Sequence, residues 1–343
     1  PVAEEVDRCV SCGYCEPVCP SKDLTTTPRQ RIVVRRAIAD ATARGDDAMV
    51  AELTKAQQYE VIDTCAVDGM CATACPVFIN TGDLVRRLRS ESVGKVESAV
   101  WTAAGRQWDA TTRVASTALS IAASVPLLVP VPNALARAVA GKDSVPQWSR
   151  DLPRGGSRRK EGVTGTAEIV YFHACVGTMF GPAEGGAGVA ASFESLLAKA
   201  GVGAVRPEGI GSLCCGTPWK SGRQLGAVTC ACVSPGCTLS VHPTCSSTRA
   251  GSNANLMAVA SAVADSATVP DDWGCCAFAG DRGMLHPELT ASATAREAAA
   301  IAEHDYDGYV SCNRTCELGL TRATGKPYRH VLELLAEQAG LVK

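Results

Sequence analysis

The sequence predicts an α+β protein, with an all-helical N-terminal domain followed by a tandem α/β cysteine-rich domain. Three observations carry this. The 18 cysteines fall into two blocks, one ending at Cys75 and the other beginning at Cys175. Helix signals fill the space inside the first block. Strand-like and helix-like segments alternate through the start of the second.

In the first block, Thr27 is placed to cap a helix with Pro28 at its first position, and no breaker interrupts Arg29 to Arg44 before Gly45. Asp46 opens a second helix in which Met49, Leu53, Ala56 and Tyr59 recur three or four apart, predicting one buried stripe that leads to Cys65. Between Arg113 and Arg137 lie 23 uncharged residues, a length that raises the question of a membrane span. Pro126, Pro130 and Pro132 argue against one, because each removes a backbone donor and breaks the helix. A surface helical hairpin is expected there, with shallow contact at a membrane surface as the alternative.

Residues 141–166, with their prolines, glycines and the run Arg158, Arg159, Lys160, read as a linker. Ile169 to Phe172 reads as a strand, and residues 188–200 as a helix with Val189, Phe193, Leu196, Leu197 and Ala200 on one face, stopped by Gly201. The expected divisions are a helical domain at 1–85, a helical extension at 86–140, the linker at 141–166, a first cysteine-rich repeat at 167–240 and a second at 241–343.

Composition narrows the function. The 33 basic and 35 acidic residues leave a net charge of −2 with no basic face, so nucleic acid is not an expected partner. A chain of 343 residues with 46% hydrophobic content can bury two or three cores. The first twenty residues hold Cys9, Cys12, Cys15 and Cys19 among acidic residues and have no apolar signal-peptide core. A reducing, cytoplasmic setting is expected, in which thiols serve as metal ligands and do not pair as disulfides. The chain opens at Pro1, close to a metal motif, and reads as a fragment of something longer.

Cys9-x2-Cys12-x2-Cys15-x3-Cys19-Pro20 is the run with which bacterial ferredoxins hold cubane clusters. Three thiolates two residues apart wrap one cube, and the fourth turns toward a second cube. The later group Cys65-x2-Asp68-x2-Cys71-x3-Cys75-Pro76 matches it position for position, except that Asp68 stands where the second thiolate belongs. Crossed ligation then assigns Cys9, Cys12, Cys15 and Cys75 to a first [4Fe–4S] cluster and Cys19, Cys65 and Cys71 with Asp68 to a second. A hard carboxylate is a poor match for iron–sulfur chemistry, so the Asp68 corner is expected to hold a labile fourth iron or none, giving [4Fe–4S] or [3Fe–4S]. The alternative is that Asp68 is only a loop residue.

The second block contains a duplication. Cys175 with Cys214-Cys215 forms one unit, and Cys245 with Cys275-Cys276 and Cys312-x3-Cys316 forms another. Adjacent cysteines do not readily bridge to each other, so a third site for a metal or cluster is expected among these residues. The first unit is short by about 60 residues if the two copies are matched, and its stretch with Cys230, Cys232 and Cys237 lacks a Cys-x2-Cys or Cys-x3-Cys ending, as a deletion or reading-frame disturbance would leave it. His173, His242 and His286 are expected to cap or fill cores instead of ligating, because sulfur already suffices.

The stretches Asp7 to Cys19, Thr26 to Arg31, His242 to Arg249, Asp271 to Gly283 and Asn313 to Glu317 resemble the C-terminal iron–sulfur part of FAD-linked D-lactate dehydrogenases of the cytochrome type and related D-2-hydroxy acid dehydrogenases. The resemblance implies a helical ferredoxin-like domain followed by CCG-type cysteine-rich domains. It implies electron transfer from a flavin domain or flavin subunit to a cytochrome or quinone, with peripheral contact at the inner face of the cell membrane. FAD itself belongs to a portion ahead of Pro1, since no Gly-x-Gly-x-x-Gly follows a strand here. The CCG-like units also resemble glycolate oxidase iron–sulfur subunits and heterodisulfide reductases, which suggests a free-standing subunit as an alternative. A non-catalytic remnant of a disrupted gene is a further alternative. Ala277 in place of the CCG glycine, the three-residue spacer before Cys316 and the shortened first unit are departures from that pattern.

Overall fold

In a computed structural model of the chain, residues 3–92, 94–142, 144–160, 167, 169–214 and 238–342 are described. The architecture is α+β, with helices up to Ala140 and, among the described residues, parallel strands only from Ile169 onward.

The helix Pro28–Arg44 forms where its caps place it. Thr27 is the N-cap, its N–H donates to Gln30 Oε1 at 2.8 Å, and Gly45 closes the helix at φ 70°. The next helix, Asp47–Gln57, is capped by Asp46, whose Oδ1 accepts from the Met49 N–H at 3.0 Å. Of its expected stripe only Leu53 turns inward. Met49 and Tyr59 are 42% and 40% exposed, Ala56 is exposed, and the inward positions are Val50, Leu53 and Gln57. Gln57 turns inward because its side-chain oxygen accepts from Arg35 Nη1 on the preceding helix. A π-helical turn, Gln58–Asp63, then inserts extra chain and re-phases the segment. Val61 and Ile62 are thereby buried with Ile32, Ile79, Leu84, Val85 and Leu88 in the N-terminal core, and Cys65 arrives at its edge.

Helices Lys95–Arg106, Trp108–Ser124 and Pro130–Ala140 form the cysteine-free extension. The chain breaks at 125–129 around Pro126, but Pro130 and Pro132 open the last helix where sequence reasoning had them break it. Proline costs nothing in a first helical turn, where the N–H would have no partner anyway. Among the described residues, no helix is long and apolar enough to cross a membrane. The tip and outer face of this hairpin leave Leu127, Leu128, Val131, Leu135 and Val139 exposed.

The expected linker has no helix or strand over residues 144–160, yet it is packed down. Gln147 N–H donates to Met284 O at 2.7 Å, Arg322 reaches Asp151 at 2.6 Å, and the buried Arg159 donates to Gly211 O at 2.7 Å. Strands β1 (Ile169–Val170) and β2 (Ala204–Val205) pair in parallel around the helix Val189–Lys199. Strands β3 (Thr238–His242), β4 (Ser266–Thr268), β5 (Gly308–Ser311) and β6 (Tyr328–His330) form a parallel sheet in the order β4-β3-β5-β6. Leu239, Val241 and Val310 pack beneath its helices with Leu256, Val263 and Leu335.

This order makes β3 the turning point. The chain leaves it outward to β4 and returns on its other side as β5. In open parallel sheets a crevice opens at such a point, beyond the carboxyl ends of the strands. The N-terminal domain docks at that end of the sheet. Ala66 packs with Ala277 and Leu289, Tyr59 Oη donates to Glu288 at 3.2 Å, and Arg296 pairs with Asp23 at 2.9 Å.

Candidate metal centres

The two N-terminal cysteine runs share one backbone course. In the first, Ser11 and Gly13 take left-handed φ values of 59° and 87°; in the second, Val67 and Gly69 do so at 53° and 75°. A left-handed non-glycine residue is uncommon, and more so for the β-branched Val67; its repetition at matched positions shows that the second run copies the first loop. Asp68 therefore occupies the place that Cys12 occupies in its own loop.

The fold gathers the two sets as crossed pairs. Cys9, Cys12, Cys15 and Cys75 line one cavity, together with Ile32, Val77 and Ile79. Cys19, Cys65, Cys71 and Asp68 line a second. Pro28 and Thr81 line both, so the two cavities are separated by single side chains. Burial pushes the Cys15 and Cys71 thiols up to about 11, so a metal is needed to hold them as thiolates at neutral pH.

The second cavity has an asymmetric wall. Asp68 is buried; its Oδ1 accepts from the Met70 N–H at 3.3 Å, and its Oδ2 has no partner at ordinary hydrogen-bond distance. Burial pushes this carboxyl up, with the Cys275 thiol beside it pulling partly back. A buried carboxylate that lines the same pocket as three thiols fits a metal corner. Arg31, which sequence reasoning did not single out, is fully buried against the same cavity. Its Nη2 donates to Ser21 Oγ at 2.5 Å and its Nη1 lies 3.9 Å from Cys19 Sγ. Although burial works against the charge, Cys65, Cys19 and Cys71 together hold the guanidinium firmly protonated. Its signal was present in the sequence, as an arginine one turn beyond Pro28.

The C-terminal sheet assembles a third group at its turning point. Strand β3 delivers His242, and Thr244 caps the short helix Cys245–Arg249, accepting from the Ser247 N–H at 3.0 Å. Strand β5 delivers Cys312, and Asn313 caps the helix Arg314–Thr324, which carries Cys316. Cys275 and Cys276 sit on the loop after β4, tied to β3 by the Trp273 indole N–H donating to Pro243 O at 2.6 Å. Ala277 follows at φ 55°, a conformation that the glycine of a CCG triplet would adopt without strain.

Within this group Cys276 Sγ lies 3.1 Å from Cys316 Sγ. His242, expected from the sequence to be a capping or core residue, lies among the thiols. Burial pulls its imidazole down, but Glu297 and Cys276 together more than offset this and push it up to about 9. The Cys316 hydrogen bond, aided by His242, brings Cys276 down to about 6 against its burial. Cys245 adjoins Cys275, and Cys312 Sγ lies 3.8 Å from Thr244 Oγ1. In the first repeat, Cys175 and Cys214 form a pair 3.9 Å apart, while Cys215, Cys230, Cys232 and Cys237 lie outside the described residues.

Residues 5–79 match the family model of a 4Fe-4S dicluster domain, and residues 239–321 match that of a cysteine-rich domain, CCG. No match to the chain is found among the curated proteins or among the solved structures. The chain thus carries an iron–sulfur dicluster domain docked on a CCG cysteine-rich domain, the equipment of an oxidoreductase component.

Proposed function

We propose that this chain is the iron–sulfur electron-transfer portion of a FAD-linked D-2-hydroxy acid dehydrogenase of the D-lactate dehydrogenase (cytochrome) type, passing electrons from flavin to a cytochrome or quinone. The observation that carries the electron-transfer reading is the pair of adjoining cavities, each lined by one crossed ligand set. Clusters held there supply one-electron chemistry. The dehydrogenase type rests on the sequence blocks that resemble that family.

The residues have separable tasks. Cys9, Cys12, Cys15 and Cys75 bind the first cluster, which Ile32, Val77 and Ile79 shield from water on the inner side. Cys19, Cys65 and Cys71 bind the second with Asp68 at its fourth corner, and Arg31 compensates the buried negative charge. Removal of hydride from a hydroxy acid belongs to the flavin, supplied by a fused portion or a partner subunit. The exposed apolar hairpin around Leu127 and Leu128 supports peripheral contact with the membrane that holds a quinone.

The test is reconstitution. The isolated chain leaves D-lactate unoxidised, and joining it to the flavin portion of a D-2-hydroxy acid dehydrogenase gives turnover with an artificial acceptor. Cys12→Ser or Cys71→Ser then slows flavin reoxidation and leaves flavin reduction by substrate nearly unchanged. Oxidation of a hydroxy acid by the flavin-free chain would overturn the reading. Productive coupling only to a glycolate oxidase or heterodisulfide reductase flavin subunit would replace it with the free-standing alternative.

A further inference from the structure

We propose that Cys175 and Cys214 are a thiol–disulfide exchange couple for low-molecular-weight disulfides, with Arg159 positioning the two thiols. Neither cysteine lines an N-terminal cavity, and the chemistry stands apart from the electron-transfer reading.

Parallel pairing brings the two cysteines together. Ile169 pairs with Ala204 and Val170 with Val205, so β1 and β2 run the same way and both chains leave the pair at one end. The first chain passes into the short helix Val176–Met179, with Cys175 at its N-cap. The second turns at Gly209, φ 64°, where the Ser212 N–H donates to Gly209 O at 2.8 Å and Ile210 is fully buried. It ends beside the first, and the two Sγ atoms stand 3.9 Å apart.

Arg159 fastens these two turns to each other. It is 3% exposed; its Nη1 donates to His173 O at 3.3 Å, and its Nη2 donates to Gly211 O at 2.7 Å and to Leu213 O at 2.8 Å. One guanidinium thus grips the chain two residues before Cys175 and one residue before Cys214. Burying this charge is costly, and the three carbonyls offset the cost. The linker that carries it is held in turn. The Gly156 N–H donates to Thr178 O at 2.9 Å, and a Cβ on Gly156 would overlap Gly177 O, so only glycine lets the linker approach the Cys175 turn this closely.

The sulfur geometry suits a dithiol that closes and reopens. At 3.9 Å the sulfurs are near contact without a bond, and an S–S bond of about 2.0 Å asks for an approach of about 2 Å, within reach of side-chain rotation. Cys175 is buried and Cys214 half-buried, so an incoming disulfide meets Cys214 first and has to be small. The Cys214 thiolate attacks one sulfur of RSSR, forming Cys214–S–S–R and expelling RS−. The Cys175 thiolate then attacks Cys214 Sγ and breaks its bond to the second RS group, which leaves as RS−. Two electrons pass from the cysteine pair to RSSR, and the two cysteine protons end on the two RSH released.

Equilibration of the full chain, purified anaerobically, with mixtures of reduced and oxidised glutathione tests the couple. After alkylation and proteolysis, mass spectrometry should find a peptide linked through Cys175 and Cys214, rising with oxidised glutathione and lost again with excess thiol. Iron and sulfide held by residues 5–79 are measured alongside and should stay unchanged, which separates failure of this couple from failure of the clusters. Cys175→Ser should trap glutathione as a lasting mixed disulfide on Cys214. Arg159→Gln should move the equilibrium against the linked form about tenfold, equal to about 30 mV for a two-electron couple, and Arg159→Lys should recover part of it. An equilibrium left unmoved by Arg159→Gln removes the positioning role. Absence of the linked peptide from the unaltered protein at every ratio overturns the proposal. So does linkage of Cys214 to a different cysteine, or a bound metal ion that Cys175→Ser and Cys214→Ser each release.

Discussion

Asp68 of the dicluster domain and Cys275 of the CCG domain meet in the interface, 207 positions apart in the chain, each lowering or raising the other's acidity. Arg249 strengthens the junction by donating to the Asp68 carbonyl at 3.3 Å, and its guanidinium covers Gly69 so closely that a Cβ there would lie 2.9 Å from it. The corner that departs from the cysteine pattern is thus the corner facing the second domain.

Asp68→Cys should hold the second centre in its four-iron form under oxidants that convert the unaltered protein to a three-iron form. The cause is replacement of a hard oxygen by a soft thiolate on the same loop course. Electron paramagnetic resonance of the oxidised protein reads the three-iron signal. Identical spectra before and after substitution would place Asp68 outside the metal's reach.

Arg31→Met should lower the midpoint potential of the centre bound by Cys19, Cys65 and Cys71. A buried positive charge favours the reduced, more negative state, so its loss makes reduction harder. With the guanidinium 3.9 Å from Cys19 Sγ, Coulomb's law at an effective dielectric near 20 supports a drop of roughly 50–150 mV. Redox titration followed by electron paramagnetic resonance measures it, and the centre lined by Cys9 and Cys12 should shift far less.

Anaerobic purification should yield about eight iron and eight sulfide for the dicluster domain, or about seven iron where the Asp68 corner is open. Cys12→Ser and Cys71→Ser each perturb a different centre, because they line different cavities. A folded preparation holding zinc alone in residues 5–79 would exclude the cluster assignment.

Leu289→Ala should destabilise the docked pair of domains. Leu289 is fully buried and packs with Ala66 and Ala277 across the junction, so truncation leaves a cavity costing about 2–5 kcal/mol. Chemical denaturation measures the loss. Spectra of the first centre, distant from the interface, should change less than those of the second.

The sequence by itself determined the parts that depend on near neighbours. The spacing of Cys9 to Cys19 and its echo from Cys65 to Cys75 marked the candidate ligands, and the matched left-handed residues Ser11 and Val67 give that echo a backbone form. Thr27, Pro28 and Gly45 marked the ends of their helix because caps and breakers act within a few residues. The stripe on the next helix misled because Gln57 is drawn inward by Arg35 on another helix, which no periodicity reports. Tertiary structure alone decided which distant residues meet: Asp68 with Cys275, Arg31 with the second cavity, and His242 with Glu297 across 55 positions. These pairings depend on how β3 and β5 deliver their ends to one crevice and on how the helical domain closes over it. The physical reason is that spacing constrains only residues joined by a short chain, whereas burial of a charge or an imidazole is set by every element that packs around it.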